Sequence, residues 1–180
     1  MSSGTGNFKL VSPAVLETTA DPATVGASDI AGVIAAARKA PQGRARLILH
    51  PDRNDSLHEM VIALPPRSCD HPHINFKSGK SFCALSGCFA VMVFSDDGQQ
   101  ITPVVLSAGT WAGARMTRLR AAAWHTIIPL DGDTVFLETI IGPFEGNQFA
   151  PWFPGEAESA EREAFAERLR TIARKAAEQL

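Results

Sequence analysis

The sequence predicts an antiparallel β-sandwich or β-barrel that is preceded by one helix and followed by another. Between about residues 44 and 141, short segments rich in β-branched and aromatic residues alternate with turn signals, without helical patterns between them. On both sides of this region, apolar residues recur at helical spacing. We therefore divide the chain into a lead-in over 1–43, a central β region over 44–154 and a helical segment over 155–180.

The lead-in contains one predicted helix, over about residues 29–39. Ser28 is a plausible N-cap, Asp29 stands in the first turn, and Pro41 follows the end of the helix. The C-terminal segment is rich in Ala, Glu and Arg. Its apolar residues form one helical stripe, which consists of Phe165, Leu169, Ile172, Ala173, Ala176 and Leu180. This stripe can bind a partner or pack on the chain's own β region, and we favour the second interpretation.

The central region contains nine candidate strands. They span residues 46–50, 57–64, 68–73, 81–85, 88–94, 99–107, 114–119, 124–129 and 134–141. Asp97-Gly98 is a strong hairpin signal because both central residues of a type I′ turn need a positive φ. Asp131-Gly132 is a second signal of this kind, and Ser86-Gly87 is a weaker third.

Composition and charge exclude several classes of protein. Hydrophobic residues make up 45% of the chain and charged residues 20%, so a disordered chain is excluded. The 17 Lys and Arg residues do not cluster, and against 19 Asp and Glu they leave a net charge of −2. We therefore expect no nucleic-acid partner. No apolar run approaches the roughly 18 residues that span a bilayer, so we expect no membrane partner either.

The cysteines indicate the compartment. The chain has three, Cys69, Cys83 and Cys88, which is an odd number and too few for a disulfide framework. No secretory signal pattern is present at the amino terminus. We therefore expect a cytoplasmic protein with reduced thiols, in which Cys83 and Cys88 are small buried hydrophobes and Cys69 is a possible soft ligand.

Three histidines form a candidate metal site. His71 and His73 are two residues apart, which in a strand places both imidazoles on one face. Imidazole pairs bind divalent metals such as Zn, Fe, Ni and Cu. His125 opens a strongly apolar strand, so an inward-facing ring needs a partner, which can be a metal, a carboxylate or a backbone carbonyl.

These motifs resemble those of the WbuC-type cupin fold metalloproteins, within the RmlC-like cupin superfamily of jelly-roll β-barrels. The resemblance rests on HPH at 71–73, on SFCALSGCFAVMVFSDDGQ after it, on WHTIIPLDGDTVFLETIIGPF and on FAPWFP at 149–154. It implies a cupin jelly-roll barrel with both helices packed outside, and a divalent metal (Fe, Ni or Zn) held by His71, His73 and His125. It also implies a role in surface-polysaccharide or specialised metabolism, and homodimers, because cupins often pair through their sheets.

The chain departs from this family pattern at two places. The family has a glutamate ligand where this sequence has Lys80, and an ammonium there repels a divalent ion. Arg120 replaces a proline and Ala122 a glycine in the turn before His125. We therefore expect two cations, Lys80 and Arg120, close to the mouth of the barrel unless they point outward.

Three interpretations follow from these departures. In the first, the three histidines alone bind the metal, and the protein acts on or binds a small polar metabolite. In the second, the metal is lost and Lys80 with Arg120 binds an anionic group, while a histidine acts as general acid or base, as in an isomerase. In the third, the site is a relic in a binding or structural module.

Three further residues are candidates for the site. Lys80 can act as a base or nucleophile if it loses its proton, although an exposed ammonium on an apolar stem is the simpler interpretation. Glu138 is the only carboxylate in its strongly apolar strand, and if it faces inward it can replace the missing glutamate or pair with Lys80. Trp124, beside His125, can line the substrate pocket.

Overall fold

The computed structural model describes residues 7–109, 112–155 and 158–180. Three short segments lie outside the described residues: 1–6 in the lead-in, 110–111 in the central β region and 156–157 in the C-terminal segment. The elements are β1 (Phe8–Ser12), β2 (Val15–Thr18), α1 (Ala27–Lys39), β3 (Ala45–Ile48), β4 (Leu57–Leu64), β5 (His73–Ile74), β6 (Lys80–Phe94), β7 (Ile101–Ser107), β8 (Met116–Leu119), β9 (Trp124–Ile141), β10 (Gln148–Phe149) and α2 (Ser159–Ala177).

The strands pair into one folded sheet. One path runs in the order β1-β2-β3-β4-β9-β5-β10, and β6 joins it by pairing with β9 while also pairing with β7 and β8. Strands β2 and β3 run parallel, and the other paired strands run antiparallel. The architecture is thus the mostly antiparallel β-structure with one outer helix on each side that the sequence predicts.

Strands β6 and β9 are each longer than the segments predicted for them. The signals at Ser86-Gly87 and Asp131-Gly132 do not form hairpin turns, because they lie inside these two strands as bulges with shifted register. Gly87 has φ +75°, and a Cβ on it would lie 2.6 Å from the carbonyl oxygen of Asp133. A glycine is therefore needed for the close approach of the two strands at this bend.

A hairpin forms at Asp97-Gly98 as predicted, but its turn is not type I′, because the turn spans residues 95–98 and Asp97 does not have a positive φ. Gly98 has φ +71°, and its N–H donates to the carbonyl oxygen of Ser95 at 2.9 Å between β6 and β7. The strand predicted over 68–73 is absent, since only His73–Ile74 forms a strand there. Position 72 is a proline, which cannot donate to a strand ladder.

The lead-in contains a hairpin that the sequence analysis missed. Strands β1 and β2 pair with each other, and β2 extends the sheet beside β3. Helix α1 begins two residues before the predicted start and ends where predicted, at Lys39. The strands of this hairpin have only five and four residues and are half-exposed, so their hydrophobic pattern is weak.

Both helices pack outside the sheet. Helix α1 buries Val33 and Ala37 against β3 and β4. Helix α2 buries Leu169 and Ala173 in a cluster with residues of β6 and β9, so its apolar stripe packs on its own chain as favoured above. Of the helices in the described ranges, neither is long and apolar enough to cross a membrane.

The inner face of the sheet carries its own apolar cluster. Its buried members are Ile62, Leu64, Phe82, Ala84, Phe89, Val91, Leu106, Leu119, Ile127 and Phe136. Four of these residues, Ile62, Phe82, Ile127 and Phe136, also line a cavity. The apolar packing of the interior therefore continues into the wall of this cavity.

Candidate ligand-binding site

A cavity of about 880 Å³ lies inside the folded sheet. Every second residue of the strands around it faces the interior, because side chains alternate between the two faces of a strand. These residues are Arg46 and Ile48 on β3, His58, Met60 and Ile62 on β4, Lys80 and Phe82 on β6, and His125, Ile127, Phe136 and Glu138 on β9. Ten of the 25 described residues that line the cavity are apolar and the other fifteen are polar or ionisable, so both kinds of side chain share its wall.

Two histidines face each other in this cavity. His73 on β5 and His125 on β9 are paired in register, and their ring centroids lie 4.5 Å apart. The Nδ1 atom of His73 lies 3.0 Å from the carbonyl oxygen of His71, and Nδ1 of His125 lies 2.8 Å from that of Ala123. A carbonyl oxygen only accepts hydrogen bonds, so each Nδ1 carries the proton. In the neutral ring, each Nε2 is then an unprotonated acceptor.

Burial keeps both rings neutral. It lowers the pKa of His73 to about 3, with the positive charge of Lys80 as the next cause. It also lowers the pKa of His125 to about 3, with His73 and then Lys80 as the next causes. Both histidines are therefore uncharged near pH 7, and their Nε2 lone pairs are available for hydrogen bonds.

Lys80 connects one of these histidines to a carboxylate. Its Nζ atom lies 3.3 Å from Nε2 of His73 and 3.5 Å from Oε2 of Glu138. Lys80 is 4% exposed and Glu138 9% exposed. Both side chains face inward, so the pairing that the sequence analysis considered for an inward Glu138 is the arrangement found. An ammonium has three N–H donors, and these two partners leave the third for a ligand.

Two acceptors in the cavity wall have no protein partner. Within the described ranges, Nε2 of His125 and Oδ1 of Asn147 are buried and accept no hydrogen bond. A buried acceptor that stays unsatisfied costs roughly 1–3 kcal/mol. These two atoms therefore mark positions at which a bound molecule can donate.

Arginine side chains from the start of β3 complete the polar part of the wall. Arg44 pairs with Asp70 at 2.7 Å, and Arg46 makes no ion pair within the described part of the chain. Burial, and secondarily the charge of Arg44, lowers the pKa of Arg46. Sequence reasoning missed Arg46. Strand alternation could have indicated it, because every second residue of this segment lines the cavity: Arg44, Arg46, Ile48 and His50.

A third histidine was expected beside His73 and His125, and the structure places it elsewhere. Nε2 of His71 donates to the carbonyl oxygen of Ala150 at 3.1 Å. The ring packs against Phe149 and Phe153, with centroids 5.0 and 4.4 Å away. His71 does not share a face with His73, because position 71 precedes the strand and strand alternation does not apply to it.

Two expected substrate-binding residues also lie outside the cavity wall. Arg120 is exposed in the turn between β8 and β9. Trp124 is buried in the cluster under α2, where its ring is 6.2 Å from that of Trp152. Trp124 adjoins His125 in a strand, so one of the two must face away when the other faces inward.

The residues present do not fit the divalent metal that the family pattern implies. Among the described residues, no group of three or more His, Cys, Asp or Glu side chains is placed to hold a metal. The ammonium of Lys80 lies at the Nε2 lone pair of His73, where a metal ion would have to bind. A metal ion bound at this lone pair would lie close to the Lys80 ammonium in a buried site, and the repulsion between the two cations is strongly unfavourable.

Comparisons with known proteins define the fold. A family model described as a domain of unknown function, DUF6016, matches residues 25–106. No curated protein matches the chain. Oxalate oxidase in complex with the substrate analogue glycolate superposes with a TM-score of 0.51 at 16% identity, covering 75% of this chain and 74% of that one. Oxalate decarboxylase from Bacillus subtilis gives 0.44 at 16% identity, covering 53% of this chain and 24% of that one.

The class of protein follows from these findings. The likeness to oxalate oxidase shows that this chain has the cupin jelly-roll fold, so the fold inferred from the motifs is confirmed. At this identity the likeness extends to the fold alone.

Proposed function

We propose that this protein is a cupin that binds a small organic anion without a metal, in the cavity that contains Lys80. The observation that carries the proposal is the position of the Lys80 ammonium, 3.3 Å from Nε2 of His73 and 3.5 Å from Glu138. A cation therefore takes the place of the metal in this cupin. We also propose that the protein is related to the WbuC-type cupins. It differs from their metal-binding pattern at Lys80, where that family has a glutamate ligand.

The charges of the inner wall support an anionic ligand. Glu138 offsets Lys80, and Asp70 offsets Arg44, whereas Arg46 is without an acidic partner in the described ranges. These five side chains have a net charge of +1, and one anionic group bound between Arg46 and the free donor of Lys80 brings them to neutrality. A planar guanidinium also suits a carboxylate, which accepts two parallel hydrogen bonds.

The apolar part of the wall supports an organic body on the ligand. Ile62, Phe82, Ile127 and Phe136 are buried at the base of the cavity, and its volume of about 880 Å³ exceeds what a single anionic group fills. Cavities of this size enclose drug-sized molecules. The ligand class is therefore a carboxylate with an aliphatic or aromatic body.

Calorimetric titration with a panel of carboxylates, from acetate and succinate to hydrocinnamate and 3-phenyllactate, tests the proposal. We expect binding in the presence of EDTA. We expect it to weaken by about 10-fold or more in Arg46→Met, since hydrogen bonds to charged groups contribute about 1.5–3 kcal/mol. Arg118→Met is the matched control, because Arg118 is exposed on β8 and outside the cavity.

Elemental analysis of untagged protein after incubation with Fe(II), Ni(II) or Zn(II) is the second test. We expect less than about one metal per ten chains, because Lys80 repels the ion. Near-stoichiometric metal, together with loss of ligand binding in EDTA, would contradict the proposal and favour the metal-dependent interpretation of the sequence.

A further inference from the structure

We infer that the ligand of this cavity is a hydroxylated carboxylate, whose hydroxyl group donates a hydrogen bond to Nε2 of His125. This inference rests on the proposed function and adds the second functional group of the ligand. It follows from which polar atoms of the cavity already have partners and which do not.

The tautomer of His125 determines what its free nitrogen can bind. Nδ1 donates to the carbonyl oxygen of Ala123 at 2.8 Å, so Nε2 of the neutral ring has a lone pair and no proton. Nε2 is buried and has no hydrogen-bond partner among the described residues. A ligand must therefore present a donor at this position, and a carboxylate oxygen alone does not satisfy it.

His73 has the same tautomer, and Lys80 already donates to its Nε2 atom at 3.3 Å. The two imidazoles, with ring centroids 4.5 Å apart, thus differ in one respect: one lone pair is satisfied by the protein and the other is not. Within the described ranges, the Lys80 ammonium donates to Nε2 of His73 and not to Nε2 of His125. The unsatisfied lone pair is consequently a position for the ligand.

The type of donor follows from the surrounding charges. An ammonium group on the ligand would bring a second positive charge close to Lys80 in a buried region. A hydroxyl group donates without adding charge, and its oxygen can at the same time accept from the third N–H of Lys80. Oδ1 of Asn147, the other unpartnered acceptor of the wall, suits a second neutral donor.

The test compares two probes that differ in one hydroxyl group, 3-phenyllactate and hydrocinnamate, by calorimetry on the full chain. We expect 3-phenyllactate to bind at least about 10-fold more tightly, because hydrocinnamate leaves the buried Nε2 without a donor. In His125→Phe, whose ring has similar size and no acceptor, we expect the two affinities to agree within about 3-fold.

A second measurement does not depend on the folding of the variant. In wild-type protein with ¹⁵N-labelled histidine, 3-phenyllactate should shift the Nε2 resonance of His125 upfield, as expected for an acceptor that gains a hydrogen bond, and hydrocinnamate should not. Equal affinities and equal shifts for the two probes would overturn the inference and leave the proposed function intact. Failure of both probes, and of the rest of the carboxylate panel, would overturn both.

Discussion

The Nζ atom of Lys80 donates to the unprotonated Nε2 atom of His73 at 3.3 Å, inside a cupin barrel. The histidine has the tautomer of a metal ligand, with Nδ1 bound to a backbone carbonyl oxygen. An ammonium nevertheless lies where the metal would be. This one contact separates the site from the metal centre that the motifs suggest, and it motivates the first prediction.

Restoring a carboxylate at position 80 should create metal affinity. In Lys80→Glu, the lone pair of His73 becomes free of the ammonium, as that of His125 already is, and a new carboxylate joins Glu138 nearby. Nitrogen and carboxylate ligands of this kind suit Zn, Fe and Ni. We expect calorimetry with Zn(II) or Ni(II) to give near-stoichiometric binding, at least about 10-fold tighter than in wild type.

Lys77→Glu is the control for this experiment, because it makes the same charge change three residues away on an exposed side chain. Equal metal binding by the two variants would mean that overall charge, rather than the site, causes the gain.

The buried pair of Lys80 and Glu138 should behave as a coupled unit. Lys80→Met leaves the Glu138 carboxylate buried without its cation, for which we expect a loss of about 3–5 kcal/mol in the free energy of unfolding. Adding Glu138→Gln should recover much of this loss. Urea denaturation of both single variants and the double variant measures the coupling.

The exposed pair of Lys77 and Glu145 provides the comparison, with side chains 69% and 55% exposed. Lys77→Met should cost less than about 1 kcal/mol. Additive effects of the Lys80 and Glu138 substitutions would show that these two side chains do not interact in solution.

The two buried histidines should make the protein acid-sensitive. Their pKa values fall from the ordinary 6.5 to about 3 on folding, so between these values the unfolded chain binds more protons than the folded chain. Their contribution to stability is therefore complete above pH 6.5 and is lost as the pH falls toward 3. Each group contributes a slope of about 1.4 kcal/mol per pH unit.

Urea denaturation at several pH values between 4 and 7 checks this dependence. In His125→Gln one titrating ring is removed, so the stability difference between wild type and variant should narrow as the pH falls. If the free energies of unfolding of wild type and variant changed equally with pH over this range, the buried, neutral state of His125 would be contradicted.

Ala122 should be a position of backbone strain. It has φ +60° in the turn before β9, and its N–H donates to the carbonyl oxygen of Asn75 at 2.9 Å. A left-handed conformation costs an L-residue about 1–2 kcal/mol, and glycine avoids most of this cost. Ala122→Gly should therefore raise the free energy of unfolding by about 1 kcal/mol.

Ala121→Gly is the matched control, since this exposed neighbour does not have a positive φ. The added backbone freedom should make it neutral or destabilising by up to about 1 kcal/mol. Stabilisation by both substitutions, or by neither, would rule out the strain at position 122 as the cause.

Local patterns in the sequence determined much of this protein. The alternation of apolar residues predicted the β-architecture, the helical stripe that contains Leu169 predicted a packed outer helix, and the motifs around His73 and His125 indicated a cupin barrel. Glu138 stands out in the sequence because a charged residue in an apolar strand needs a partner, and Lys80 stands out because the resembling family has a glutamate there. Strand alternation from Arg44 also indicates that Arg46 faces the cavity, although Arg46 was not among the predicted site residues.

Only the tertiary structure decided which of these residues meet. His71 and His73 are two positions apart, yet a proline between them ends strand alternation, so the first ring packs against Phe153 and the second faces the cavity. The Lys80 to His73 contact joins two elements whose relative position depends on the pairing of β5 and β6 with β9. A sequence pattern gives the face of a strand, whereas the distance between atoms on different strands depends on register and on how the sheet folds over itself.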